Sequence, residues 1–261
     1  MKVLANQTLV IGSGKGGVGK STVTVNLAVA LGRLGYSVGV LDADLYGPSI
    51  PIMTGLRELS PQIIFDGEGK EKFLPFEKFG IKIISIGFFL EESRSILWRG
   101  PMLHGMLQKM VSAVEWGELD LLLIDLPPGT GDVPLSLSQI LKIDGAIIVT
   151  TPQEVAILDA IKAIHAFDQL KIPLMGIVEN MAGFTVPGTS DTYSIFGEGK
   201  AQELAHRYSV PLLESIPLIP AIRRGGDDGY PSAFHNGDDA AGRAFRNLGT
   251  TMMTLNQRNP I

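Results

Sequence analysis

The densest chemical signal in the chain is Gly12-Ser-Gly-Lys-Gly-Gly-Val-Gly-Lys-Ser-Thr22. Within it, Gly14 to Ser21 fits G-x-x-x-x-G-K-[ST], the spacing of a loop that cradles phosphates. Glycines let successive backbone N–H groups turn toward an anion, and the following helix adds partial positive charge at its amino end. A lysine in this place reaches β- and γ-phosphates, and the next hydroxyl ligates Mg²⁺. Gly14, Lys15, Gly16, Gly17, Val18, Gly19, Lys20, Ser21 and Thr22 are therefore candidate nucleotide-binding residues, with Lys20 on phosphate and Ser21 on metal. Gly12-x-Gly14-x-x-Gly17 also satisfies the dinucleotide fingerprint, with Asp42 at a suitable distance downstream. That fingerprint does not require the Lys-Ser that follows. A triphosphate site, by contrast, asks for a second acidic strand end far along the chain.

Two such ends exist. Tyr36-Ser-Val-Gly-Val-Leu-Asp42 reads as a buried strand running into Asp42-Ala-Asp44-Leu-Tyr-Gly-Pro-Ser49. Ligands of doubly wound sheets bind at the carboxyl ends of strands, so Asp42 and Asp44 are expected to face the phosphates, or one of them to close a turn. Leu119-Asp-Leu-Leu-Leu-Ile-Asp125 has the apolar run and terminal acid of a central parallel strand carrying a magnesium-side carboxylate. The glycine-rich Leu126-Pro-Pro-Gly-Thr-Gly-Asp132 follows it. A strand ending in aspartate is weak alone and strong beside a phosphate loop.

The elements that must position these groups alternate. Strands are expected at 8–11, 36–42, 81–86, 119–125, 145–150, 173–178 and 210–214, and helices at 23–31, 102–116, 155–170, 198–208 and 240–255. Repeated strand–helix units imply an α/β, doubly wound, mostly parallel sheet with helices on both faces. Residues 56–80, with Pro61, Gly67, Gly69 and Pro75, are expected to form a solvated surface hairpin. No linker or internal repeat interrupts the pattern, so 1–261 is expected to be a single domain.

With 261 residues, 45% of them hydrophobic, the chain can bury one sizeable core. A net charge of −5 and a pI near 5.4 argue against a general nucleic-acid binder. No run is long and apolar enough to cross a bilayer, and the amino terminus has no signal pattern, so no membrane partner and a cytoplasmic location are expected. The tail 245–255 is only loosely amphipathic and poor in cations, against surface binding to lipid. There is no cysteine, which excludes disulfides, thiolate metal sites and cysteine nucleophiles. The four histidines show no ligand spacing.

With these motifs in place, the chain resembles the Mrp/ApbC family of ATP-dependent iron–sulfur cluster carriers, within the MinD/ParA class of P-loop proteins. The likeness rests on Gly14-Lys-Gly-Gly-Val-Gly-Lys-Ser21, with its second lysine Lys15, and on Asp42-Ala-Asp-Leu-Tyr-Gly-Pro-Ser49 and Trp98-Arg-Gly-Pro-Met102. Asp125-Leu-Pro-Pro-Gly-Thr-Gly-Asp132, Glu179-Asn-Met-Ala-Gly-Phe184, Ile195-Phe-Gly197 and Ile222-Arg-Arg-Gly-Gly-Asp227 extend it over roughly residues 8–250. The resemblance implies a homodimer closed across the nucleotide face, ATP and Mg²⁺ as cofactors, and slow intrinsic ATPase turnover. It implies that Lys15 reaches the nucleotide of the partner subunit, that Asp44 orients the attacking water, and that Asp125 holds Mg²⁺, through a water. It also implies that Asn180, Pro217 and Leu218 contact adenine, although Ile219 stands where the family usually has an aspartate.

The larger departure is chemical. The family carries Cys-x-x-Cys just after Glu-Asn-Met-x-Gly-Phe, and this chain has Val186 and Thr189 there. Neither side chain can replace a thiolate on iron. The expected function is thus an Mg²⁺-dependent ATPase working in iron–sulfur assembly with partner proteins but without its own cluster ligands. The alternative is a MinD/ParA-like switch acting on a regulatory partner. A nicotinamide oxidoreductase rests on the glycine overlap alone.

Overall fold

In the computed structural model, residues 1–89, 100–189, 191–235 and 239–258 are described, with the side chains of 100, 101 and 256–258 excepted. The expected Trp98-Arg99 portion of the third motif lies outside them. The strands are β1 Gln7–Gly12, β2 Val38–Asp42, β3 Ile63–Phe65, β4 Glu71–Phe73, β5 Phe76–Lys78 and β6 Ile81–Ser85. They continue with β7 Leu121–Asp125, β8 Gly145–Thr150, β9 Leu174–Asn180, β10 Phe184–Thr185, β11 Thr192–Tyr193 and β12 Leu212–Ile216. The helices are α1 Lys20–Arg33, α2 Ile50–Met53, α3 Gly100–Ser112, α4 Asp132–Ile140, α5 Glu154–Gln169, α6 Lys200–Arg207, α7 Pro220–Asp227 and α8 Ala240–Arg258.

The main sheet runs β12-β9-β8-β1-β7-β2-β6-β5, parallel throughout except for the β5–β6 pair. Both faces of its central strands are covered, which is why β2 and β7 are buried at every residue and read as continuous apolar runs. Alternation along the strands divides the core. Leu9, Ile11, Val40, Leu123 and Val149 pack toward α1 and α8, whereas Val10, Leu41, Ile124 and Ile148 pack toward α3, α5 and α6. This is the doubly wound α/β fold that the alternating pattern predicts.

The register of the central strands aligns their carboxyl ends. Ile11 and Asp42 both pair with Asp125, so the phosphate loop and two carboxylates leave neighbouring strands at one level.

Several expected boundaries differ for identifiable reasons. The helix expected over 102–116 ends at Ser112, because Phe73 exchanges backbone hydrogen bonds with Ala113 and Glu115 and draws the chain out of the helix. Residues 56–80 are only partly a surface excursion: β3 and β4 form the hairpin, but Phe73, Leu56 and Phe79 are buried, and β5 extends the main sheet. The apolar side of the tail is used internally, with Phe245, Leu248 and Met252 of α8 buried on the face shared with α1. Among the described residues no helix is long and apolar enough to cross a membrane. The short helices α2 and α7 and the β10–β11 hairpin were not expected; α7 contains two adjacent glycines, and α2 is a single turn.

Candidate functional site

The loop between β1 and α1 is shaped by close packing. A Cβ on Gly14 would lie 2.0 Å from the backbone of Asp159, so only glycine lets the loop run against α5. Gly19 caps α1 in the left-handed region, with φ of 86°, and a Cβ there would fall 2.2 Å from the Asn180 amide nitrogen. Backbone donors of the loop and the amino end of a 14-residue helix thus meet at one place, an arrangement that favours anions.

Beneath the loop lies a knot of buried charge. Lys20 Nζ sits 2.8 Å from Asp125 Oδ2 and 3.4 Å from Asp44 Oδ2, and both Lys20 and Asp125 are almost fully buried. Ser21 Oγ donates to the same Asp125 oxygen at 2.6 Å, and Thr24 Oγ1 meets the other at 2.7 Å. Asp125 therefore meets three polar groups from the start of α1, and the Thr24 hydroxyl also reaches the Lys20 carbonyl at 3.0 Å. Removing any one of them leaves part of a buried charge unanswered.

Asp42, fully buried at the end of the adjacent strand, accepts from Ser85 Oγ at 2.8 Å and from the Asp44 N–H at 3.1 Å. Burial pushes its carboxyl up to about 8, and the charge of Asp125 adds to this. The Ser85 hydroxyl, the Asp44 N–H and Lys20 pull the other way.

Asp44 does close a turn: its Oδ1 accepts from the N–H groups of Tyr46 and Gly47, each at 3.3 Å, and its Oδ2 faces Lys20. It also lines a cavity of about 270 Å³, with residues 15–22 and Pro128 of the glycine-rich loop. The Gly129 N–H donates to the Ser13 carbonyl at 2.8 Å and ties the two loops together. Lys15 lies apart from the knot; its Nζ donates to Gln153 Oε1 at 3.2 Å.

A second cavity, of about 280 Å³, adjoins the first through Gly19, Thr22, Ser49 and Met53. Its wall is mainly apolar and includes Asn180, Pro217 and Leu218, as expected, but also Met181, Ile219 and Ile222. Arg223, paired with Asp227 at 2.5 Å, stands at this cavity on α7. The structure thus brings Lys20, Ser21, Asp44 and Asp125 together, sets the three base-side residues in the adjoining cavity, and leaves Lys15 at the edge.

Sequence reasoning did not single out Thr24 or Gln153, and Ile222 to Asp227 of α7 entered it only as a motif of the resemblance, with no site role. Thr24 had a signal, since it follows Lys20 by one helical turn and so shares its face. On the β10–β11 hairpin, Thr189 Oγ1 donates to the Val186 carbonyl at 3.1 Å and accepts from the Asp191 N–H at 3.1 Å. Among the described residues no group of three or more His, Cys, Asp or Glu could hold a metal ion.

Residues 5–253 match the family model described as ParA: NUBPL iron-transfer P-loop NTPase. An iron-sulfur cluster carrier protein of Aquifex aeolicus is 47% identical over 241 residues, which is 92% of this chain and 65% of that protein. The chain therefore spans about two thirds of the length of that relative. A nucleotide-binding protein of Archaeoglobus fulgidus, solved in complex with ADP, is 41% identical with a TM-score of 0.76, over 91% of this chain and 90% of that one. The cell division ATPase MinD of Pyrococcus furiosus shares the fold at 24% identity and a TM-score of 0.69, over 96% and 99% of the two chains.

Proposed function

The chain belongs to the NUBPL-type iron-transfer P-loop NTPase family, and on that premise we propose that it is an Mg²⁺-dependent ATPase. It works as a single-domain homodimer in iron–sulfur cluster assembly without supplying cluster ligands of its own. The observation that carries the nucleotide reading is the buried knot of Lys20, Ser21, Asp44 and Asp125 beneath a glycine-lined anion cradle. The adjoining apolar cavity has the size and lining for a base, and the relative solved with ADP supports it.

Lys20 would exchange its carboxylates for β- and γ-phosphate oxygens, a short move for an ammonium already at the cradle. The donor set fits magnesium: the Ser21 hydroxyl already donates to the Asp125 carboxylate at 2.6 Å, and hard oxygen ligands beside phosphate are what this ion takes. Ser21 and Asp125 would hold it, Asp125 through a water because its oxygens already have donors, and when bound it neutralises charge on the phosphates.

Asp44 is fixed at one oxygen by two backbone N–H groups, and its other oxygen, which faces Lys20, would orient the attacking water once Lys20 has turned to phosphate. Lys15, whose Nζ donates to the Gln153 amide in its own protomer, supplies charge across the dimer to the leaving phosphate. Asn180, Pro217 and Leu218 hold adenine.

Cluster cargo is then held by a partner protein, since Val186 and Thr189 offer no thiolate. The same two residues favour the second reading, an ATP-driven switch acting on a regulatory partner. ATP turnover tests the nucleotide reading directly: hydrolysis that needs Mg²⁺ and disappears in Lys20→Ala supports it, and equal turnover in that variant refutes it.

A further inference from the structure

We propose that Asn180 is a strut of the phosphate loop, a positioning residue that couples the base cavity to the cradle. The inference rests on the nucleotide reading above and adds a second task to the residue. Asn180 closes β9, two strands from β1, and is 6% exposed. Its Nδ2 donates to the Val18 carbonyl at 2.8 Å, a buried bond between parts of the chain 162 residues apart. A carbonyl can pair only with the N–H side of the amide, so the nitrogen is committed to the loop and the oxygen is left for the cavity.

The Val18–Gly19 peptide is planar and trans, so holding its carbonyl also fixes the opposite direction of the Gly19 N–H, one of the backbone donors of the cradle. Gly19 leaves no room for anything else, because a Cβ there would strike that same Nδ2.

Backbone strain marks the same place. Met181, which is not glycine, has φ of 59° and lines the base cavity beside Asn180. Its turn is locked on both sides: the Ala182 N–H donates to the Ile216 carbonyl at 3.0 Å and the Leu218 N–H to the Gly183 carbonyl at 2.7 Å. An over-determined turn of this kind holds one amide in one orientation. One side chain therefore touches the space for the base and sets the shape of the space for the phosphates.

Inorganic tripolyphosphate separates the two tasks, because it has phosphates and no base. Its affinity, and that of ATP, would be measured by calorimetry in the presence of Mg²⁺ for the wild type, Asn180→Leu and Asn180→Ala. The alanine variant, which adds no bulk, carries the test if leucine does not fit. The strut predicts a loss of roughly tenfold for tripolyphosphate in both variants, the size of one buried hydrogen bond. It also predicts faster amide exchange at residues 15–20 in the free protein, with the rest unchanged. Unaltered tripolyphosphate affinity beside weakened ATP binding would overturn the strut and leave Asn180 as a base contact. A wild-type protein that binds neither ligand would instead overturn the nucleotide reading itself.

Discussion

Two threonines show how differently the two working regions of this molecule are built. Thr24 sits beneath the phosphate loop, fully buried, with its hydroxyl on a buried carboxylate. Thr189 sits on the exposed 184–193 hairpin, where its hydroxyl only closes the turn between Val186 and Asp191. At the nucleotide end, each charged group is constrained by several others from different strands and one helix. At the hairpin end, the hydroxyl bonds of Thr185, Thr189 and Thr192 join near neighbours in sequence. A region of the first kind tolerates little change without losing its chemistry. A region of the second kind can lose a pair of ligands and still fold, which is how a chain of this family can have Val186 and Thr189 beside an intact cradle.

The sharpest way to break this contrast is Lys20→Ala. It removes the only ammonium from a knot of carboxylates, so ATP binding or hydrolysis should be abolished, with a loss of about a hundredfold or more. The folded state should weaken by about 3 kcal/mol or more as buried charge is left unpaired, visible as a lower unfolding midpoint.

Lys15→Ala should separate chemistry from binding. Lys15 lies outside the knot, so ATP affinity should persist while hydrolysis falls by about tenfold or more and ATP-induced dimerisation weakens. Sedimentation and phosphate release read the two effects, and wild-type turnover would remove Lys15 from the trans role.

The threonine pair tests the contrast by the same chemistry in both places. Thr24→Val should cost about 1.5–3 kcal/mol, because the lost donor served a charged acceptor in the interior. Thr189→Val should stay within about 0.5 kcal/mol, as exposed turns usually do. Equal costs in chemical denaturation would erase the distinction.

A pH-dependent effect comes from Asp42. Its carboxyl is raised from the ordinary value near 3.8 to about 8, so the folded protein holds a proton that the unfolded chain releases. Stability from this group is complete below the unfolded value and is lost as pH rises through that window. Asp42→Asn, which can keep partners at Ser85 and the Asp44 N–H, should flatten the decline between about pH 4 and 8. Parallel stability curves for the two proteins would contradict it.

Legibility in the sequence divides along the same line. The phosphate loop and the Asp125 strand were readable because glycine spacing and an apolar run ending in acid are local signals. Their meeting was readable too, because parallel strands place their carboxyl ends together. Thr24 was less visible, since its role depends on a register that brings Asp125 under α1. The base-side wall on α7 was not legible: Arg224-Gly-Gly-Asp227 suggests a loop, and only packing against α2 and the 232–234 turn makes it helical. The end of α3 was misjudged because Phe73, from a hairpin far earlier in the chain, competes for its last backbone groups. Long-range pairing of that sort leaves no trace in periodicity.

A protein with intact nucleotide machinery and no cluster ligands on its hairpin should hydrolyse ATP yet keep no iron. Anaerobic reconstitution of ATP-hydrolysing protein with iron and sulfide, followed by desalting, iron counting and a visible spectrum, should give no retained iron and no charge-transfer band. Stoichiometric iron per dimer would show that ligands other than cysteine from this chain suffice, and would contradict that reading.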